Sequence, residues 1–561
     1  MPVRERYRTA IPTHKINVNF LKVKNLFKTY GAKVTALFAC AFLTACTFEE
    51  QKAINGIVYC SEANPVSFNP QLTTTGSTID IISHQLYNRL LSIDPSSGEF
   101  IPELATSWTL KDNGKQVVFN LRKDVDFHHT DYFTPTRKLN ADDVVFTFTR
   151  LFDVYNPYHF VGGGNYPYFQ SIGLDQSFRS VSKTGEYQVT FELFSPDSSF
   201  LSNMATDFAI VLSKEYADSL SELENLEDID RLPIGTGPYK YKRFKRDAFV
   251  RFYRNEHYWQ HEVAIEQLVF DITSDSNTRI AKALTGECDI AAHPSSAHIE
   301  VLNNREDIKV EKLANLNVGY LAFNTQKPPF DKPEVRRAIS HAIDKQKILQ
   351  AVYFNNADIA QSILPPESWA YQAQPNYPSY NLELAKSLLE TAGLEDGFTM
   401  DLWAMPVSRI YNPNARKMAE LIQSELKQIG IKVNIVEYEW NTFLERLTLH
   451  QHDTVLIGWA ADSPEPDNFL NPILSCASVF SGKNPSNWCN TEFDLLLTKA
   501  HDTNDIEARK EVYFAAQQMV AQELPLLPIA HGLRLQAKST DIKDVEVPPF
   551  GGISLANARK E

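Results

Sequence analysis

Residues 412–440 read NPNARKMAELIQSELKQIGIKVNIVEYEW. Apolar Met418, Leu421, Ile422, Leu426 and Ile429 recur there at helical spacing, Gly430 interrupts the pattern, and Ile431, Val433 and Ile435 then alternate. The change of period from 3.6 to 2 predicts a helix from Pro413, a glycine stop and a strand. A helix feeding directly into a strand must bury its apolar face on a sheet, so this unit commits the chain to α/β architecture. NLELAKSLLETAG (381–393) gives a second helix, with Asn381 as N-cap, Leu382, Ala385, Leu388, Leu389 and Ala392 on one face, and Gly393 as stop. Upstream, KQVVFNLRKDV (115–125) and YQVTFELF (187–194) read as edge or hairpin strands. The 561 residues allow two to four domains. Internal repeats, low-complexity tracts and long linkers are all missing, so the domains are expected to interleave.

The N-terminus reads as an export signal. Eight basic residues precede an apolar run from Val34 to Ala45, which is too short for a permanent membrane span but suits a signal sequence. The run ends LTAC, making Cys46 a candidate for lipidation after cleavage. Removing residues 1–45, with eight basic and one acidic side chain, takes the formal charge from −14 to about −21. Such a surface repels nucleic acid and favours encounter with cations. Four cysteines remain after cleavage, an even number for an oxidising compartment. Cys476 and Cys489 are near enough in sequence to pair, closing a loop worth roughly 3 kcal/mol in the chain-entropy model. Cys60 and Cys288 would then pair across the chain. A four-thiol metal site would need C-x-x-C spacing, which does not occur.

Catalytic motifs are wanting. Ser424-x-x-Lys427 and Lys183-Thr184-Gly185 stand in the wrong order for a penicillin-binding nucleophile set, and Ser424 falls mid-helix. His128 and His129 are adjacent, so in a strand their rings face opposite ways and cannot chelate together. In GWAADSPEPDNFLNPILSC (458–476), Asp467 stands where a calcium loop starting at Asp462 needs glycine. Pro464 and Pro466 mark that stretch as turn-rich, with Glu465 and Asp467 reading as solvated or turn-forming acids.

YCSEANPVSFNPQ (59–71), FTPTRKLNADDVVFTFTR (133–150), IGTGPY (234–239), RNEHYW (254–259), NVGYLAFNT (317–325), YNPNARKMAELIQ (411–423) and the 458–476 stretch follow one another in the chain. As an ordered set they resemble the large periplasmic solute-binding proteins of peptide-importing ABC transporters, the dipeptide and oligopeptide group. The resemblance runs from Cys60 to the C-terminus. PESWAYQ (366–372) and LRLQAKSTDIK (533–543) look more like the subgroup named for sensitivity to antimicrobial peptides, whereas LTAC looks more like the haem-binding subgroup.

The resemblance implies an α/β, two-lobed periplasmic binding protein fold with a hinge and an extra interleaved subdomain. Lobe I would comprise 47–90, 235–315 and 525–561, the subdomain 91–234, and lobe II 316–524, after a signal at 1–46. Chain crossings near 315–324 and 524–531 would form the hinge, and Cys60–Cys288 and Cys476–Cys489 match the family's pairing. It also implies a monomeric, non-enzymatic carrier without cofactor or metal. Such a carrier binds a peptide, a cationic antimicrobial peptide among the candidates, and passes it to an inner-membrane ABC permease. Asp462, in GW-x-x-D, would receive the peptide's α-ammonium. Arg409, in MPV-x-R-x-YNPN, would receive the α-carboxylate, aided by the dipole of the helix that follows. Tyr411, Trp440 and Trp459 would wall the pocket. Haem is the alternative ligand, with Arg409 on a propionate. A hydrolase with an unrecognised site is the alternative of another class.

Overall fold

Residues 399–436 fold as a parallel strand–helix–strand crossover. Thr399–Ala404 pairs in parallel with Lys432–Val436, and Ala415–Leu426 is the helix between them. The helix starts two residues later than expected. Asn414 is its N-cap, its side chain accepting from the backbone N–H of Lys417 at 2.9 Å, so Pro413 falls outside. Met418, Ile422 and Leu426 are buried, and Gly430 ends the run at φ 82°. The second helix, Leu382–Thr391, is capped by Asn381 as read. The computed structural model describes residues 54–561 except 95–98, 296–297, 374–376, 462 and 481. The signal at 1–46 with Cys46, and Asp462, therefore lie outside the described residues.

The crossover belongs to a six-stranded sheet, in the order Ala357–Ile359, Leu526–Gly532, Asn317–Phe323, Thr454–Ala460, Thr399–Ala404, Lys432–Val436. Asn317–Phe323 and Leu526–Gly532 are buried at every position, which is why neither shows an in–out alternation in sequence. A seven-stranded sheet runs Ile308–Leu313, Arg534–Ser539, Ile290–Ala292, Gly56–Ser61, Gln267–Ile272, Phe249–Arg254, Tyr239–Lys245. The chain passes from this sheet to the six-stranded one between Leu313 and Asn317, and returns between Gly532 and Arg534. The expected lobe I segment from 525 thus begins with a strand that joins the six-stranded sheet. Leu526–Gly532 pairs in the six-stranded sheet because its apolar run is buried on both sides there, next to Asn317–Phe323.

The third sheet has four strands, Ala105–Lys111, Gln116–Leu121, Gln188–Leu193 and Phe178–Gly185 in order. Its two middle strands are the ones read as edge or hairpin candidates. Each is the second strand of a hairpin, and they pair with each other, Val118 opposite Thr190. One hydrophobic core gathers residues from the seven- and four-stranded sheets, and a second is built around the six-stranded sheet. Cys60 and Cys288 are bonded across 228 residues, and Cys476 and Cys489 across 13. No described helix is long and apolar enough to cross a membrane.

Candidate functional site

Three strands of the six-stranded sheet carry a glycine on the face beneath residues 410–411: Gly319, Gly458 and Gly532. Gly319 and Gly458 are direct cross-strand partners. A Cβ on Gly319 would lie 2.1 Å from the backbone oxygen of Tyr411, one on Gly458 2.3 Å from the Tyr411 ring, and one on Gly532 2.0 Å from the backbone oxygen of Ile410. The glycines therefore make a floor on which residues 410–411 lie in direct contact with the sheet, which no larger side chain permits. Asn317 fixes one side of that floor. Its side chain accepts from Gly532 N–H at 2.9 Å and donates to Gly532 C=O at 2.8 Å. Tyr353 Oη donates to Tyr411 C=O at 2.6 Å.

The turn on this floor is closed by two backbone bonds, Arg409 N–H to Asn412 C=O at 3.1 Å and Asn412 N–H to Arg409 C=O at 3.0 Å. Asn412 is buried. The Arg409 side chain stays exposed, with its guanidinium carbon 5.8 Å from the centre of the Trp440 ring. Its guanidinium donates to the C=O of Ser408 at 3.2 Å and also bonds the Tyr411 hydroxyl, and among the described residues no carboxylate pairs with it. Burial pushes the Tyr411 phenol up, and the neighbouring Arg409 pulls the other way. Trp440 stacks on Phe443 with ring centres 5.6 Å apart.

Arg409, Tyr411 and Trp440 are thus brought together. Trp459 is not part of that group. It follows Gly458 in an extended strand, so its side chain leaves the opposite face, and its indole N–H reaches Asn468 at 3.4 Å. Asp462 lies outside the described residues; its neighbours Ala461 and Ser463 are buried, and Ala461 N–H bonds the C=O of Leu316 at 2.8 Å.

Two acids of the same stretch have duties the sequence reading did not foresee. Glu465 is buried, 2.5 Å from Arg509, and accepts from Ser202 Oγ at 2.5 Å. Burial opposes the Arg509 charge, but Glu465 and Tyr513 together outweigh it and hold the guanidinium protonated. Asp467 lies 3.3 Å from His501, whose other ring nitrogen is 3.6 Å from Asp197. The Asp467 charge, with help from Asp197, raises His501 to about 11 against the opposing effect of burial. Ser198 adds bonds to the backbone oxygens of His501 and Ala500 at 3.2 and 3.1 Å. Ser202 lies between Leu201 and Met204 of the first core, while Glu465 precedes Phe469 of the second. These contacts form a clasp between the two cores. Nothing in PEPD (464–467) names partners 44 or 263 residues away, so sequence periodicity could not have found it.

The family model for bacterial extracellular solute-binding proteins, family 5 Middle, matches residues 99–481. The probable ABC transporter periplasmic-binding protein SapA of Escherichia coli (strain K12) is 43% identical over 507 residues, 90% of this chain and 92% of that protein. A crystal structure of the dipeptide binding protein from Pseudoalteromonas sp. SM9913 in complex with Met-Leu is 64% identical, with a TM-score of 0.78, covering 90% of this chain and all of that one. Heme-binding protein A of Haemophilus influenzae is 38% identical over 509 residues, 91% of this chain and 93% of that protein.

Proposed function

The chain belongs to the family 5 bacterial extracellular solute-binding proteins, and from that premise we propose how it holds its cargo. It is the periplasmic solute-binding component of a peptide ABC importer. Arg409 takes the peptide's α-carboxylate and Asp462 its α-ammonium, so the separation of the two selects short peptides over free amino acids. The observation that carries this reading is the state of Arg409: exposed, laid beside Trp440 and without a carboxylate partner among the described residues, on a turn that Gly319, Gly458 and Gly532 let rest on the sheet. A guanidinium in that setting has its fork of donors available for an incoming carboxylate. Tyr411 and Trp440 supply the apolar side of the same pocket. Trp459, on the opposite face of its strand, supports the pocket from behind instead of lining it.

The carrier then delivers its peptide to the inner-membrane permease, without chemistry on the peptide and without a cofactor. A lipid on Cys46 would tether it to the membrane, and the mass of the mature N-terminus tests that point.

Calorimetry with Met-Leu tests the site. Wild-type protein should bind it, and Arg409→Ala and Asp462→Ala should each weaken binding at least tenfold, the order of one charge-assisted contact. Unchanged affinity in both variants rules the site out. Mass spectrometry of the released ligand should return intact Met-Leu; cleaved product would point to the hydrolase reading. A Soret shift on adding haem that weakens in Arg409→Ala would favour haem as cargo. Preference for a long cationic peptide over Met-Leu would favour antimicrobial peptides.

A further inference from the structure

A cavity of about 510 Å³ lies beside Ala357–Ile359, the edge strand of the six-stranded sheet, lined among others by Ile343, Lys345, Ile359, Ala360, Tyr377 and Pro378. Lys345 opens the helix Lys345–Val352. Its ammonium donates to the backbone oxygen of Ala360 at 3.0 Å and has no acidic partner among the described residues. Asp344, which also lines the cavity, lies 3.1 Å from Lys347, and Glu425 lies 3.7 Å from the same lysine, which leaves the helix on a different side from Lys345. The Lys345 ammonium sits 5.8 Å from the centre of the Tyr377 ring. Tyr377 Oη is buried with no hydrogen-bond partner among the described residues. Burial, unopposed by any counter-charge, lowers Lys345 to about 7.

Three features of this cavity find no partner among the described residues: two spare N–H donors on Lys345, a buried phenol hydroxyl, and the charge Lys345 carries when protonated. Leaving such groups unpaired is unfavourable, and an acceptor carrying one negative charge would satisfy all three. The donors are few and the single charge is +1, which suits a carboxylate better than a phosphate, which needs more donors and more charge. Ile343, Ile359 and Pro378 give the remaining wall an apolar side, and Gln346, Gln361 and Ser379 give it a polar one.

We propose that this cavity is a second ligand site, separate from the peptide turn, that takes a small aliphatic monocarboxylate. The carboxylate sits between Lys345 Nζ and Tyr377 Oη, and its hydrocarbon body packs on Ile343, Ile359 and Pro378. None of these residues takes part in the Arg409 turn or its glycine floor.

The test is an NMR titration of the whole mature protein with ¹³C-labelled butyrate. Saturable binding is expected, weakened at least tenfold in Lys345→Met and about threefold in Tyr377→Phe, with Met-Leu binding kept in both variants. Tyr377→Phe preserves the ring and carries the test if Lys345→Met fails to fold. The proposal is overturned by an absence of saturable binding, by binding that survives both substitutions, or by displacement of butyrate with Met-Leu. Displacement by inorganic phosphate at equal affinity would overturn the choice of a monocarboxylate.

Discussion

Arg409 and Arg509 each lie beside a tryptophan ring, 5.8 Å from Trp440 and 5.0 Å from Trp369. Arg409 is exposed and unpaired by any described acid, whereas Arg509 is buried with Glu465 at 2.5 Å. The same residue type in a similar aromatic setting therefore has two different fates. In the clasp, the counter-charge is built in and the ion pair joins two cores. At the turn, the counter-charge has been left for something to bring. Acid placement follows the same division: of the three acids in 458–476, Glu465 and Asp467 are committed to Arg509 and His501, and Asp462 is the one we propose for the ligand.

The contrast is most exposed at Glu465. Glu465→Ala strands a buried guanidinium, and urea denaturation should show a loss of about 3–5 kcal/mol, while the folded variant keeps its Met-Leu affinity. A loss within the range of an ordinary surface substitution would erase the distinction between the two arginines. Replacing Glu465 and Arg509 together with leucine should restore much of that stability.

At Arg409 the expected pattern inverts. Arg409→Ala should cost about 2 kcal/mol in Met-Leu affinity and leave the unfolding midpoint within the scatter of surface mutants. A large stability loss would mean that Arg409 is a structural arginine like Arg509.

Gly319→Ala sharpens the point from below, since the new Cβ must push back the Tyr411 backbone. Calorimetry should show Met-Leu affinity weakened by roughly 1–2 kcal/mol, in the range of overpacking effects, with the Glu465–Arg509 pair still in place. Unchanged affinity would show that the turn's height above the sheet does not matter to binding.

The smallest effect is the pH dependence of His501. Its pKa is raised from 6.5 to about 11. A base whose folded pKa is raised stabilises fully below its unfolded value and loses that contribution as pH rises towards the folded one. Stability of the wild type relative to His501→Gln should therefore fall between pH 6.5 and 11. The slope should stay below the limiting value of about 1.4 kcal/mol per pH unit, because water reaches part of the ring. A difference that stays flat across this window would show that the two aspartates do not hold the imidazole charged.

Much of the fold was legible where a short-range rule governs it. The cap Asn381, the stops Gly393 and Gly430, and the helix–strand switch at 430–431 follow from hydrogen bonds and periodicities confined to a few residues, whereas Asn414 takes the cap two residues inside the expected helix start at Pro413. The strands Asn317–Phe323 and Leu526–Gly532 were harder to assign, because strands buried on both faces show no alternation. Within the site, Arg409, Tyr411 and Trp440 were named from motifs and do meet in space. Trp459 was named with them and faces the other way, a consequence of pleating beside Gly458 that the tetrad GWAA does not advertise.

The sequence by itself determined the α/β class, the positions of caps and stops, the four cysteines left to pair and the family. Each of these rests on local chemistry or on an ordered set of motifs. Only the tertiary structure decided that three glycines 74 to 213 residues apart share one face beneath residues 410–411, that Glu465 answers Arg509 and that Lys345 answers no acid among the described residues. The physical reason is that a charge or a missing Cβ takes its meaning from what packs against it, and packing partners are set by sheet order and register, not by nearness along the chain.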